Sequence, residues 1–350
     1  MRSKNTNSKV LYLSYDGLTD PLGQSQVLPY IIGLGEKGFD FTIISFEKPE
    51  NFQKEEPVIK KNVKENNVAW NPLKYTKTPP ILSTVYDIYK LKKEIKKEVR
   101  KGSVSLIHCR SYITALVGLW AKKKYGIPFI FDMRGFWADE RVDGGIWNLK
   151  NKIHKKVYDY FKKKEKEYLV ESAYTISLTH AGKDEIDSWN LNRQSPIHVI
   201  PCCTDENHFN ISNKKNKRDE LGIAEDAFVL SYLGSIGTWY MLDEMLDFFK
   251  ELLSVKQNTK FLFITRDNTD SIFDKCKDRG ISKDSIIIKS SSRIDVPEYI
   301  NTSDASIFFI KPVYSKKASS PTKMGEIMNM GVPIVCNARV GDVDIVMNEV

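Results

Sequence analysis

Short, continuously apolar runs that alternate with helical stretches of a dozen or more residues recur twice along this chain, and few folds accept that pattern. In the first half the runs are VLYLSY (10–15), DFTIISF (40–46), VSLIHC (104–109), IPFIFDM (127–133) and AYTISL (173–178), with a last one at 197–201. Residues 202–218 are polar and turn-rich. The alternation then resumes with AFVLSYL (227–233), KFLFIT (260–265), SIIIK (285–289) and ASIFFI (305–310). A strand with one wet face would alternate apolar and polar residues, so continuous apolar strands imply parallel sheets covered by helices on both faces. The reading is α/β, two doubly wound Rossmann-like domains at 1–203 and 204–350, facing across a cleft at their strand ends. With 350 residues each domain has chain enough for its own core.

Composition narrows the class. Hydrophobic residues at 41% and charged residues at 28% suit a soluble protein, and no apolar run approaches the 18 or so residues that span a bilayer. The N-terminus is too polar for a signal peptide, which places the chain in the cytoplasm or on a membrane face. Five cysteines without a CxxC and five scattered histidines suggest neither a disulfide framework nor a zinc site. Asp342 and Asp344 form a DxD, but paired carboxylates in a first helical turn are expected from the helix dipole alone. No metal is expected. The net charge of +8 is concentrated in KLKKEIKKEVRK (90–101) and KNKIHKKVYDYFKKKEK (150–166). These read either as solvated helix faces or, with Ile153, Val157, Tyr158 and Phe161 alongside, as a surface for anionic lipid. The aromatic interleaving of single-strand binders is largely missing, so nucleic acid is not an expected partner.

Gly33, Gly35 and Gly38 fit GxGxxG but follow a helix and precede a strand, the wrong context for a dinucleotide loop, and read as a helix stop. The loop that does follow the first strand carries Gly23, Gln24 and Ser25, beyond a strand's carboxyl end where open α/β sheets bind ligands. Polar groups gather at other strand ends: Arg110, then Asp132 and Arg134, with Asp139, Glu140 and Arg141 close behind. Together they suggest a polar cleft.

The most specific stretch is SSPTKMGEIMNMGVPIVCN (319–337), a loop, a short helix and a strand. Ser320 reads as N-cap, Pro321 as the first helical residue, and Gly331 with Pro333 as the stop. Free N–H groups, the hydroxyls of Ser320 and Thr322 and the cation of Lys323 would then meet a phosphate together. Glu326, one turn on, only accepts hydrogen bonds and suits a pair of ribose hydroxyls. A capped helix with a solvated Lys and Glu is the other reading.

Taken together, Gly23–Gln26, Val199–Pro201 with Asp205 and Phe209, Tyr232–Ser235, and SSPTKMGE with MGVPIV resemble the two-domain GT-B glycosyltransferases, specifically bacterial members of glycosyltransferase family 4. The resemblance implies a retaining transferase with an N-terminal acceptor-side domain and a C-terminal domain for the nucleotide diphosphate sugar donor. It implies hexosyl or N-acetylhexosaminyl transfer to a saccharide or lipid-linked acceptor in surface polysaccharide or glycolipid synthesis, at the inner face of the plasma membrane. No cofactor besides the donor substrate is implied. Catalytic roles fall on Lys323, Arg134 and Asp132, and donor binding on Gly23, Gln24, Gly234, Ser235, Arg266, Ser320, Thr322 and Glu326. The departures are Ala318 where the first Glu of the family's Glu-x7-Glu would stand, a second-domain loop GSIGTWYM without a cation, and Arg134 near the place of a histidine. Relatives also run on past Val350, so the C-terminal domain reads as truncated. A non-catalytic nucleotide-sugar-binding scaffold and a sugar-nucleotide epimerase are the alternatives. Lys323→Met should leave stability almost unmoved, because helix propensity hardly differs between the two residues; in the capped-helix reading Lys323 is an exposed first-turn charge, and Met is neutral or slightly stabilising.

Overall fold

The structure, a computed structural model, describes residues 9–212 and 215–349. It divides after Pro201 into two compact units. The first contains β1 (Lys9–Ser14), α1 (Pro21–Gln26), α2 (Leu28–Glu36), β2 (Asp40–Glu47), α3 (Pro49–Glu65), β3 (Ala69–Lys74), α4 (Leu82–Lys101), β4 (Val104–Arg110) and α5 (Ser111–Tyr125). It continues with β5 (Phe129–Asp132), α6 (Trp137–Asp143), α7 (Lys152–Glu171), β6 (Tyr174–Ser177), α8 (His180–Ser188) and β7 (Ile197–Val199). All seven strands are parallel, in the order β3-β2-β1-β4-β5-β6-β7.

The order reverses direction between β3 and β4. Parallel crossovers are right-handed, so α4, α5, α6, α7 and α8 cover one face of the sheet and α1, α2 and α3 the other. The strand interiors are correspondingly dry: Leu11, Tyr12, Ile43, Ile107, Phe129 and Phe131 are all buried.

The second unit contains β8 (Phe228–Leu233), α9 (Leu242–Val255), β9 (Thr259–Ile264), α10 (Asp270–Asp278), β10 (Ile286–Lys289), α11 (Val296–Ile300), β11 (Ala305–Phe308), α12 (Thr322–Asn329), β12 (Ile334–Cys336) and α13 (Val343–Glu349). Its parallel sheet runs β10-β9-β8-β11-β12. Both units are thus doubly wound, as the apolar runs require.

Two elements lie outside the expected pattern. β3 carries Pro72, which has no N–H for a ladder, and it survives because β3 is the edge strand. α3 contains Pro57 in its interior, which hides it from a search for uninterrupted helical periodicity. The GxGxxG is a helix stop as expected: α2 ends at Glu36, Gly38 takes φ +92°, and Gly38 and Phe39 donate back to Gly35 and Leu34.

Candidate functional site

The C-terminal unit brings Lys323 under the end of β8. Its Nζ lies 3.7 Å from the ring centre of Tyr240, 4.4 Å from that of Tyr232 and 6.0 Å from that of Phe308. It donates to the Tyr232 hydroxyl at 3.3 Å, and no carboxylate comes within ion-pair distance of it among the described residues. Burial is the larger influence on its protonation and Glu326 opposes it weakly; the ammonium's pKa is lowered to about 7. Lys323 is therefore not the solvated first-turn charge of the capped-helix reading. It is a buried cation with no ion-pair partner among the described residues.

Gly234, next to β8, explains how the lysine fits. A Cβ there would stand 2.9 Å from Lys323 Nζ, and the residue adopts φ +118°, so both space and backbone require glycine. The Ser235 carbonyl accepts from the Tyr232 hydroxyl. The Ile236 N–H is taken by Asp267, a residue to which sequence reasoning gave no role.

The start of α12 differs in detail from expectation. Ser320 is not the N-cap; its Oγ accepts from the Cys202 N–H at 3.1 Å and so ties the incoming chain to this loop. Pro321 takes the cap position, no side chain caps the helix, and Thr322 opens it. Among the described residues, no side chain, Ser320 included, closes the donors expected at this tip. Gly331, at φ +70°, ends the helix as read.

Glu326 is buried and accepts from Arg293 Nη1 at 3.1 Å. Burial pushes its carboxyl up, with Arg293 and then His208 working against it. His208 Nε2 in turn contacts the Arg293 carbonyl at 2.9 Å, and the guanidinium covers the Phe209 ring. Arg293 carried no local signal, because it lies in the loop after β10, 33 residues before its partner. Arg266 is turned elsewhere: Nε and Nη2 donate to the Ser291 carbonyl at 3.2 and 3.0 Å, and the side chain is exposed. The structure does not bring Arg266 to Lys323.

The N-terminal unit has its own cluster at the carboxyl ends of β1, β4 and β5. Asp132 is buried, with His108 Nε2 at 3.3 Å, Arg134 Nη1 at 3.8 Å and Arg110 Nη1 at 4.0 Å. Arg110 Nε is 3.7 Å from Asp16. Burial alone would raise the Asp132 carboxyl, but Arg134, His108 and Arg110 outweigh it and hold the pKa below the usual range. Arg134 takes φ +57°, an uncommon conformation for a side chain this large. Arg110 Nε and Nη1 and Asp132 Oδ1 are buried without hydrogen-bond partners. Buried groups in this state call for a partner such as water, an ion or a ligand. Asp139 and Arg141 are not part of it. Asp139 accepts from Tyr158 and Lys162 in the helix layer, and Arg141 stacks on Trp137.

Gly23 and Gln24 shape the loop after β1. A Cβ on Gly23 would fall 2.1 Å from the Gly17 carbonyl oxygen, so α1 can pack on the preceding turn only with glycine there. Gln24 Nε2 donates to the Thr19 carbonyl at 3.3 Å. The anchor is Glu47, which sequence reasoning missed. It is buried at the end of β2 and accepts from Leu18 N–H at 2.9 Å, Thr19 N–H at 3.1 Å, Thr19 Oγ1 at 2.5 Å and Ser45 Oγ at 2.5 Å. The one sequence signal was a carboxylate ending an apolar strand.

Comparison with known proteins bears on both units. A profile described as Glycosyltransferase Family 4 matches residues 27–208, more than half of the chain, and one described as Glycosyl transferases group 1 matches residues 213–350. The chain belongs to glycosyltransferase family 4. No curated protein sequence matches it. Among solved structures it is similar to sucrose-phosphate synthase from Thermosynechococcus elongatus, at 13% identity and TM-score 0.72, covering 97% of this chain and 83% of the other. A glycosyltransferase from Rickettsia africae gives 13% identity and TM-score 0.66 over 97% and 81%. Anabaena HepE in complex with UDP and glucose gives 12% and 0.65 over 97% and 83%. At these identities the structures speak for the fold, which is GT-B, and the profiles for the nucleotide-sugar transferase family.

Proposed function

We propose that this family 4 transferase is a retaining enzyme that moves a hexosyl or N-acetylhexosaminyl group from a nucleotide diphosphate sugar to a saccharide or lipid-linked acceptor, in bacterial surface polysaccharide or glycolipid synthesis. Retention rests on the resemblance. The observation that carries the chemistry is Lys323, a buried cation with no ion-pair partner among the described residues, at a helix start without a side-chain cap. As the glycosidic bond breaks, negative charge grows on the leaving diphosphate, and a fixed cation in a dry site stabilises that charge more than it does the bound donor. Lys323 and the Thr322 end of α12 supply this without a metal. Glu326 takes the ribose hydroxyls, with Arg293 orienting its carboxylate. Asp132, ionised among three basic groups, and Arg134 receive the acceptor on the N-terminal domain.

The test is release of nucleoside diphosphate from a panel of nucleotide sugars, with and without a lipid extract as acceptor. Release that requires the extract is expected. Donor turnover without acceptor would assign an epimerase instead, and donor binding without turnover a scaffold.

A further inference from the structure

Three helices of the N-terminal unit carry more positive charge than the whole chain. α4 has seven basic and three acidic side chains, α5 three basic and none acidic, and α7 seven basic and four acidic. Their net +10 exceeds the chain's +8, so everything outside them is net negative. The three lie together on one face of the sheet, with α5 packed against both α4 and α7. Lys90, Lys97 and Lys101 pair with carboxylates of their own helix. Lys92, Lys93, Lys96 and Arg100 on α4 and Lys124 on α5 join no ion pair among the described residues. Lys92, Lys96 and Lys124 converge on the Trp120 ring at 5.3, 5.9 and 5.7 Å.

The same helix layer exposes apolar side chains at one end. Leu82, Val85, Tyr86 and Tyr89 fall on one side of the first turns of α4, and each is more than half exposed. Their helix is not loose. Ser83, Asp87, Leu91, Ile95 and Glu98 are buried on its other side, and Asp87 accepts from the Tyr15 hydroxyl and the Thr76 N–H. Further along the exposed side stand Lys93, Lys97 and Arg100, so the stripe is apolar first and basic after. A second exposed group, Ile146, Leu149 and Ile153, sits before and at the start of α7. Both helices start on the side where β3 and β5 end, so both apolar groups lie at the sheet end that carries Asp132 and Arg134. Of the residues marked in the sequence as the lipid face of 150–166, only Ile153 is well exposed. Phe161 is buried, Val157 is half-buried, and Tyr158 is bonded to Asp139.

We infer that this end of the α4–α5–α7 layer docks on an anionic phospholipid surface, with Leu82, Val85, Tyr86 and Tyr89 entering the interface and the unpaired lysines lying over the headgroups. Charge complementarity selects this occupant: an apolar stripe continued by Lys93 and Arg100, which join no ion pair among the described residues, matches acyl chains beneath anionic phosphates. The inference deepens the proposed function, because a lipid-linked acceptor in that bilayer would present its sugar to the sheet end that holds Asp132 and Arg134.

Sedimentation with phosphatidylcholine vesicles, with and without phosphatidylglycerol, tests it on the full chain. Binding is expected only with phosphatidylglycerol and should weaken as salt rises. The triple variant Lys92→Gln/Lys93→Gln/Lys96→Gln should bind roughly 100-fold more weakly, and Leu82→Ser/Tyr86→Ser roughly 10- to 100-fold. The indole introduced by Tyr86→Trp should be quenched by brominated acyl chains. Equal binding to both vesicle types, wild-type binding in both multiple variants, or no quenching in the bound state would each overturn the inference. So would self-association without vesicles that Leu82→Ser/Tyr86→Ser abolishes, since the face would then receive a second copy. A thermal shift with nucleotide sugars in solution keeps the two readings apart. Vesicle binding without any donor-induced shift would remove the transfer reaction and support the surface; a donor-induced shift without vesicle binding would do the reverse.

Discussion

The two units solve opposite electrostatic problems. In the C-terminal unit a buried lysine has no ion-pair partner among the described residues and is held by three aromatic rings and a tyrosine hydroxyl. In the N-terminal unit a buried carboxylate is surrounded by Arg110, Arg134 and His108. A charge with surplus partners is a built-in part of the fold, and removing it strands the partners. An unpartnered buried charge destabilises the empty protein and is worth keeping only where a ligand supplies the missing sign. The same substitution logic should therefore give opposite signs in the two places.

The largest expected effect is on turnover. Lys323→Met should lower the transfer rate by roughly 100- to 1,000-fold, with a smaller loss in donor binding, because the charge it faces grows towards the transition state. The sequence reading expected no change in stability, and burial reverses that. With the pKa lowered to about 7, Lys323 is charged in both folded and unfolded states at lower pH, so its penalty is complete there. Above pH 7 and up to the ordinary lysine value, only the unfolded chain keeps the proton, so wild-type stability rises with pH through that window. Lys323→Met should stabilise the empty protein by roughly 2–5 kcal/mol at neutral pH or below, with the advantage shrinking as pH rises. Calorimetric melting at several pH values reads this directly.

Asp132→Asn should do the reverse, destabilising by roughly 3–5 kcal/mol as two arginines lose their carboxylate. Because the folded carboxyl is held below its ordinary value, this contribution is present above the unfolded pKa and is lost as pH falls through the folded one. Wild type and variant should therefore converge in acid in denaturant titrations. If both substitutions moved stability in one direction, the contrast between the units would be wrong.

Next comes Glu326→Gln, which keeps the shape but removes the charge. Hydrogen bonds to charged groups contribute about 1.5–3 kcal/mol, so donor affinity should fall roughly 10- to 100-fold by calorimetric titration. Unchanged affinity would mean that the Arg293 pair is structural only. The smallest effect is at Gly234→Ala. The new methyl would press on Lys323 Nζ, the movable end of a side chain, while the positive φ adds strain. Stability should fall by about 1 kcal/mol, with donor affinity reduced less than in Glu326→Gln.

The fold was legible because apolar continuity and helix length are local properties, and the two exceptions failed for local reasons, Pro72 in β3 and Pro57 in α3. Which candidate residues gather in each unit was legible in outline. Lys323, Glu326 and Gly234 were identified from chemistry at strand and helix ends, and Asp132 and Arg134 from their place after β5. Burial was not legible. No spacing rule shows that Tyr232, Tyr240 and Phe308, from different elements, close over Lys323. Nor does one pair Arg293 with Glu326, or show Glu47 holding the loop after β1, since each contact is made by topology. Ser320 was misassigned because its partner, Cys202, comes from the chain entering the domain, whereas capping rules consider only the helix itself.

The most direct test of the central claim, that Lys323 waits for the diphosphate of the donor, is the proton count of donor binding. The nucleotide sugar giving the largest thermal shift would be titrated calorimetrically at pH 8 in buffers of differing ionisation enthalpy. With a pKa near 7 the empty site is mostly unprotonated at that pH, and a bound diphosphate should restore the charge. The expected result is uptake of close to one proton in the wild type and none in Lys323→Met, with wild-type affinity falling as pH rises above 7. Binding with no proton uptake, at an affinity that neither pH nor Lys323→Met alters, would contradict the account.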